Sequence, residues 1–265
     1  MTIVSDREAV QRQYADSKNL SVRAALHQKY STNPVSFHDW LFEHYHFFDG
    51  CRILELGCGT GDFWTARIDR LPKNTELILS DYSEGMLMTV REKFSDHKNI
   101  TIRQIDIQDI PFADETYNFV IANHMLYHVP DLSKGLSEVR RVLKPGGTFY
   151  ASTLSDGGMR LYLHDALHQF NPALGAFRPG VYSFTLENGE AILKPCFKHV
   201  DSHRQHDSLK ITQTQDLIDW LESTVLFSSY AKEDLAGLYD FFEKIRRKKG
   251  YIEIPKLTGM FTCVK

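Results

Sequence analysis

Ile53-Leu54-Glu55-Leu56-Gly57-Cys58-Gly59-Thr60-Gly61 is the stretch from which the fold is read. An apolar run ends in an acid and then breaks into alternating glycines, the pattern of a buried strand running into a tight turn. No Gly or Pro follows from Asp62 to Leu71, so a helix is expected there before Pro72. The result is a strand–glycine loop–helix unit of the sort that parallel α/β sheets use to cradle nucleotides.

Moving outward, short runs rich in Ile, Leu, Val, Phe or Tyr recur at 52–56, 76–80, 100–105, 118–122 and 148–152. Helical patterns lie between them, clearest at Leu87, Val90 and Phe94 and at Leu132, Leu136, Val139 and Leu143. This alternation predicts a doubly wound α/β fold of parallel strands with helical crossovers. Lys144-Pro145-Gly146-Gly147 reads as the turn before strand five. Ahead of the first strand, three short helices are expected: one opening on Ser5-Asp6-Arg7-Glu8, one carrying Val22, Leu26 and Tyr30, and one carrying Phe37, Trp40 and Leu41. The regular beat is lost after Ser152. An insertion at 154–196 is expected to hold an amphipathic helix from Met159 to Phe170 and a short one near Leu186–Leu193. A sixth strand at 200–211 and two more helices follow. Tyr251–Ile254 and Gly259–Val264 then finish the sheet, the last pairing antiparallel at an edge. The chain thus divides into an N-terminal helical lid (1–49), a nucleotide-binding core (50–153), a substrate-side insertion (154–196) and the rest of the same α/β domain (197–265).

The composition excludes several classes. With 31 basic and 34 acidic residues, the chain lacks the strongly positive surface of a nucleic-acid binder. The run Arg246-Arg247-Lys248-Lys249 reads as a helix C-terminus before Gly250. No apolar stretch has the shape of a signal peptide or the length to span a bilayer, and the four cysteines form no CxxC pair, so a cytoplasmic protein without disulfides is expected.

In a parallel sheet the carboxyl ends of the strands form the rim where ligands bind. Glu55 ends strand one, Asp81 ends strand two, Asp106 follows strand three and Asn123 follows strand four. An acid ending the second strand suits a ribose diol. Two further acids on the same rim repel a pyrophosphate but welcome the ammonium and sulfonium of S-adenosylmethionine. The loop agrees, since Asp62 stands where GxGxxG has the final glycine that brings a helix N-terminus to a pyrophosphate.

These residues resemble the class I S-adenosylmethionine-dependent methyltransferases of the small-molecule type. Residues 53–61 are similar to that family's first motif, Leu79–Leu87 to its second, Asp106–Phe112 to the segment that reads adenine, and Asn118–Asn123 and Val142–Gly147 to the blocks around strands four and five. The resemblance implies a Rossmann-like, mostly parallel seven-stranded sheet with an antiparallel edge strand, and S-adenosyl-L-methionine as methyl donor, leaving S-adenosyl-L-homocysteine. It further implies that Gly57, Cys58 and Gly59 admit the cofactor backbone-first, with Glu55 near its ammonium group. Asp81 would hold the ribose hydroxyls, Tyr82 and Met86 would pack around the adenosine, Asp106 and the Ile107 backbone N–H would read adenine, and Asn123 would line the methyl side. Ile105 stands where many relatives have Gly, and Ile107 where the residue is often small.

Methyl transfer requires alignment, exclusion of water and sometimes removal of a proton. His128 and His124, beside Tyr127 just past strand four, are the candidate acid–base residues, His128 being a position where relatives often carry His. Tyr14, Arg23, His27 and His206 are candidates to line the acceptor pocket, with Phe37, Trp40, Phe170, Phe177, Tyr182 and Phe184 giving it an apolar, aromatic character. His199, His203 and His206, like His164 and His168, lack a familiar ligand spacing, so no metal is expected. The reading is a monomer or homodimer that methylates a small molecule, with no nucleic-acid or membrane partner. A protein or nucleic-acid methyltransferase, a noncatalytic cofactor-binding module and an NAD-dependent oxidoreductase remain as alternatives.

Overall fold

The structure, a computed structural model, describes residues 8, 18–174, 177–178, 180–224, 227 and 230–265. Two helices precede the sheet among these: α1 (Lys18–Tyr30) and α2 (Phe37–Glu43). The helix expected around Ser5 to Tyr14 lies outside them, apart from Glu8, which is helical and exposed. Ser36 starts α2 by accepting from the Asp39 backbone N–H.

The parallel strands appear as β1 (Arg52–Leu56), β2 (Glu76–Asp81), β3 (Ile100–Gln104), β4 (Tyr117–Asn123) and β5 (Leu143–Leu154), joined by β6 (His199–Ile211) and β7 (Ile252–Val264) in a seven-stranded sheet of order β3-β2-β1-β4-β5-β7-β6. Strands β1 to β5 pair in parallel, whereas β7 runs antiparallel to both β5 and β6. Their crossovers and the outer layers are α3 (Asp62–Thr65), α4 (Glu84–Phe94), α5 (Leu132–Val142), α6 (Met159–Phe170), α7 (Gly189–Leu193), α8 (Thr214–Glu222) and α9 (Leu238–Lys249).

Three local expectations are corrected. The helix after the glycine loop is not continuous to Leu71: α3 makes one turn and a 3-10 turn follows at Ile68–Arg70. The Arg67 guanidinium takes the Phe63 carbonyl at 2.8 Å, and the Arg67 N–H bonds Trp64 O one residue short of helical spacing. Lys144–Gly147 is a turn carried inside β5, since Tyr117 pairs with Leu143 and the next partners are Phe119 and Thr148. The two expected C-terminal extended segments are one strand, β7, which lies second from the edge with β6 outside it.

Pro255 is tolerated within β7 because of where its missing N–H would point. It pairs with Ser208, whose carbonyl faces outward to the Thr32 N–H at 2.9 Å. Pro255 therefore faces the other side, beyond Leu154, where β5 has ended opposite Thr258.

Alternate residues of the strands feed two cores. Ile53, Leu77, Leu79, Phe119, Ile121, Tyr150 and Met260 pack with Leu41, Tyr45, Phe63, Trp64 and Phe94 on one face. Leu54, Leu56, Val120, Ala122, Phe149 and Phe261 pack with α5, α6 and the helices of the C-terminal part on the other. Past the end of β5, β6 and β7 continue as a two-stranded ribbon above the rim, and this ribbon becomes a wall of the site.

Candidate active site

The glycine loop closes over the end of β1 in a left-handed conformation, with φ of +71° at Gly57 and +56° at Gly59. A Cβ on Gly57 would lie 2.9 Å from the Met125 side chain, and one on Gly59 would lie 3.2 Å from Leu20 of α1. The loop thus presents bare backbone, and α1 lies directly over it. The Cys58 N–H bonds Ser80 O at 2.8 Å, tying the loop to β2.

Asp81 meets that loop. Its carboxylate accepts from the Gly59 N–H at 2.9 Å and the Ser83 N–H at 2.8 Å. Burial pushes its pKa up, opposed by these backbone donors. The Tyr82 N–H adds to these donors, and the carboxylate still has acceptor capacity for a further one. Met86 is buried in the first turn of α4, and Tyr82 is half-buried before it. Asp106 accepts from the backbone and side-chain N–H groups of Gln108 at 2.9 and 3.1 Å, and Gln108 in turn accepts from the Asp131 N–H at 3.0 Å. Ile107 is buried against Gly135 of α5, where a Cβ would sit 3.4 Å away, so the bulk at this position is met by a glycine opposite.

Glu55 is only 1% exposed and lies beneath the loop. Its two oxygens accept from the Trp64 indole N–H at 2.5 Å and the Asn123 amide at 3.2 Å. Asn123 Oδ1 takes the Tyr45 hydroxyl at 2.9 Å and the Ser152 hydroxyl at 3.0 Å. The network joins the segment after α2, β1, α3, β4 and β5 on one face of the sheet. Burial, the largest cause, raises the Glu55 pKa from 4.5 to about 7, against the lowering effect of Trp64 and Asn123. Because the folded state keeps the proton that the unfolded state releases above 4.5, this group contributes stability at low pH that is lost as pH rises through 7. A shift of this size corresponds to roughly 3 kcal/mol. Glu55→Gln should therefore narrow the difference in melting temperature between pH 5 and pH 8; an unaltered difference would count against the assignment.

Above the rim, His124 adopts a left-handed φ of +52°, an uncommon and strained conformation for a non-glycine residue. Its N–H donates to Ser152 O at 3.1 Å and its ring lies 5.1 Å from Phe37. His27, from α1, shares its surroundings: burial lowers both imidazoles to about 3, with Lys256 adding to each and His124 adding to His27. The predicted Arg23 also acts on His27. His128 sits in the 3-10 turn after β4, its ring 4.6 Å from Tyr127, which meets Tyr182 of the insertion at 5.0 Å. Tyr14 lies outside the described residues, and His206 is exposed on β6.

Several participants carry no local signal in the sequence. Asp207 of β6 and Lys256 of β7 pair at 3.2 Å with side chains 2% and 10% exposed, on the wall of the ribbon. Asp207 also accepts from the Ser31 hydroxyl at 2.5 Å and the Thr32 and Asn33 N–H groups at 3.1 and 2.9 Å, which fastens the α1–α2 link to that wall. Trp64 and Tyr45 were likewise missed, since their roles depend on sharing Asn123 and Glu55. Among the described residues, no three His, Cys, Asp or Glu side chains converge as metal ligands, and no helix is long and apolar enough to cross a membrane.

Residues 53–147 match the model of the family described as a methyltransferase domain. This segment is a class I S-adenosylmethionine-dependent methyltransferase domain. The domain is 38% identical over 98 residues to demethylmenaquinone methyltransferase of Staphylococcus carnosus, a match spanning 37% of this chain and 41% of that relative. In fold, the chain is similar to phosphoethanolamine N-methyltransferase 2 of Haemonchus contortus, solved with S-adenosyl-L-methionine (TM-score 0.60, 16% identity, covering 98% of this chain and 59% of that one). It is also similar to the [4+2]-cyclase SpnF (TM-score 0.59, 14% identity, covering 97% and 96%). The methyl donor of the domain family is S-adenosyl-L-methionine, and the bare glycine loop and the part-satisfied Asp81 carboxylate suit its backbone-like methionine end and its ribose.

Proposed function

We propose that this chain transfers a methyl group from S-adenosyl-L-methionine to a small-molecule acceptor, leaving S-adenosyl-L-homocysteine. The observation that carries the reading is the meeting of Gly59 and Asp81, with a 2.9 Å hydrogen bond, at the carboxyl ends of β1 and β2 within the matched domain. In this reading Gly57, Cys58 and Gly59 hold the methionine end, and Asp81 holds the ribose diol. Tyr82 and Met86 flank the adenosine, Asp106 and the Ile107 N–H read adenine, and Asn123 borders the methyl side. Glu55 acts through its partners, fixing Asn123 and Trp64 from beneath the loop.

The acceptor would lie between α1, the ribbon wall and the 154–196 insertion, with His124, His128, Arg23 and His27 as its polar surroundings. A small acceptor is supported by the names of the relatives, which act on demethylmenaquinone and phosphoethanolamine. Chemistry after methyl binding consists mainly of alignment and exclusion of water. Calorimetric titration with S-adenosylmethionine, S-adenosylhomocysteine and NAD tests the reading: both adenosyl ligands should bind and NAD should not. Tighter binding of NAD, or no binding of either adenosyl ligand, would overturn it.

A further inference from the structure

His27 and Trp220 face each other across the space between α1 and α8, their rings edge-on with centroids 6.4 Å apart. His27 Nδ1 and Trp220 Nε1 are both buried from solvent, and neither has a hydrogen-bond partner among the described residues. Such atoms are costly to leave unsatisfied, at roughly 1–3 kcal/mol each, and native proteins rarely leave two side by side without a use. As whole residues both are half-buried, so a ligand would meet the outer edge of the pair and part the two rings to reach these nitrogens. Phe177 of the insertion, in a left-handed conformation with φ of +59° and only 2% exposed, stacks on Trp220 at 6.0 Å and fixes one face of the indole.

The placement joins this pair to the methyl side of the site. Leu20 lies on the glycine loop, and His27 is two turns further along the same helix, roughly 10 Å by helical rise. His27 feels His124, at the end of β4, and Lys256, on the ribbon wall.

The chemistry of the two atoms restricts what can fill them. The indole N–H only donates, so it requires an oxygen or nitrogen lone pair; an imidazole nitrogen without its proton accepts. One hydroxyl oxygen answers both, accepting from Trp220 while donating to His27. An ammonium has no lone pair for Trp220, and Lys256 and Arg23 around His27 oppose added positive charge, with Asp207 as the single acid acting on it. We propose that His27 and Trp220 bind the acceptor through a hydroxyl on an aromatic ring, and that His27 takes the proton of that hydroxyl during transfer. The inference rests on the methyl-transfer reading above. A lone pair of the hydroxyl oxygen forms the new O–C bond to the methyl of the sulfonium donor as the C–S bond breaks, its electron pair staying on sulfur as the thioether. The oxygen becomes strongly acidic as that bond forms, so the O–H proton passes to His27 Nδ1 and then to water. Burial holds the imidazole neutral for this role, lowered to about 3, and the acidity of the alkylated oxygen compensates for its weak basicity.

The test is calorimetric titration of 2-naphthol and of its methyl ether into protein saturated with S-adenosylhomocysteine. The naphthol should bind about tenfold or more tightly than the ether, which cannot donate to His27. His27→Ala should bring the ratio to within about twofold, and Trp220→Phe should weaken naphthol and ether alike by about fivefold or more, while S-adenosylhomocysteine affinity stays at the wild-type value and reports an intact fold. Equal binding of naphthol and ether, no binding of naphthol, a preference that survives His27→Ala, or affinities unchanged in Trp220→Phe would overturn the proposal. Failure of S-adenosylhomocysteine to bind the wild-type protein would instead remove the underlying methyl-transfer reading, and this one with it.

Discussion

Asp81→Ala should weaken S-adenosylhomocysteine binding by roughly 100-fold or more, because a ribose diol bonded to a carboxylate contributes on the order of 1.5–3 kcal/mol per hydrogen bond. The residue is well suited to so large an effect. Its carboxylate is already oriented by the Gly59 and Ser83 N–H groups, so little ordering remains to be done when a ligand arrives. Removing it also frees the glycine loop from β2 on one side. Asp81→Asn separates these contributions, since the amide keeps one acceptor oxygen and most of the shape. It should lie between the alanine variant and the wild type. Calorimetric titration of all three checks the order, and alanine affinity within about threefold of wild type would exclude Asp81 from the cofactor site.

The second large effect is structural. Asp207→Ala leaves Lys256 buried without its counter-charge and removes the acceptor shared by Ser31, Thr32 and Asn33. Breaking one partner of a buried ion pair typically costs about 3–5 kcal/mol. Denaturant titration should show a loss of that order, and hydrogen exchange should accelerate first at the Asn33 amide, which loses its bond directly, whereas Thr32 keeps its bond to Ser208 O. Asp207→Asn, which retains a carbonyl for the backbone donors, should restore part of the protection but little of the charge balance. A midpoint unchanged in the alanine variant would mean that the α1–α2 link is held by other contacts.

The parallel half of the sheet was readable because its central strands β1 and β4 are buried on both faces, which writes them as apolar runs ending in polar residues at the rim. Glu55, Asp81, Asp106 and Asn123 fall at those ends, and the structure brings Glu55 to Asn123 and the glycine loop to Asp81. What the chain's local pattern could not convey is contact between distant segments. Arg67 ends the helix after the loop by reaching for a carbonyl in its own turn, and nothing in its neighbours announces that. Asp207 and Lys256 meet only because β6 and β7 pair with Ser208 opposite Pro255. Pro255 lies between the two segments expected there, and its tolerance inside a single strand depends on β5 having stopped short. The same holds for Trp220, whose apolar helical neighbours Leu217, Ile218 and Leu221 mark a buried face but give no hint of His27 across from it.

The position of β7 between β5 and β6 has a consequence for how the chain reaches this state. β6 touches the rest of the sheet only through β7, which follows it in the chain after two helices. As the polypeptide emerges during synthesis, β6 leaves the ribosome with no edge to join, and the α1–α2 link, made earliest of all, waits with it for the wall it grips. The nucleotide-binding half can therefore assemble from contacts close in sequence, while closure over the acceptor depends on pairings that are distant and late. A half-made chain would be able to hold an adenosyl ligand before it could enclose anything to methylate.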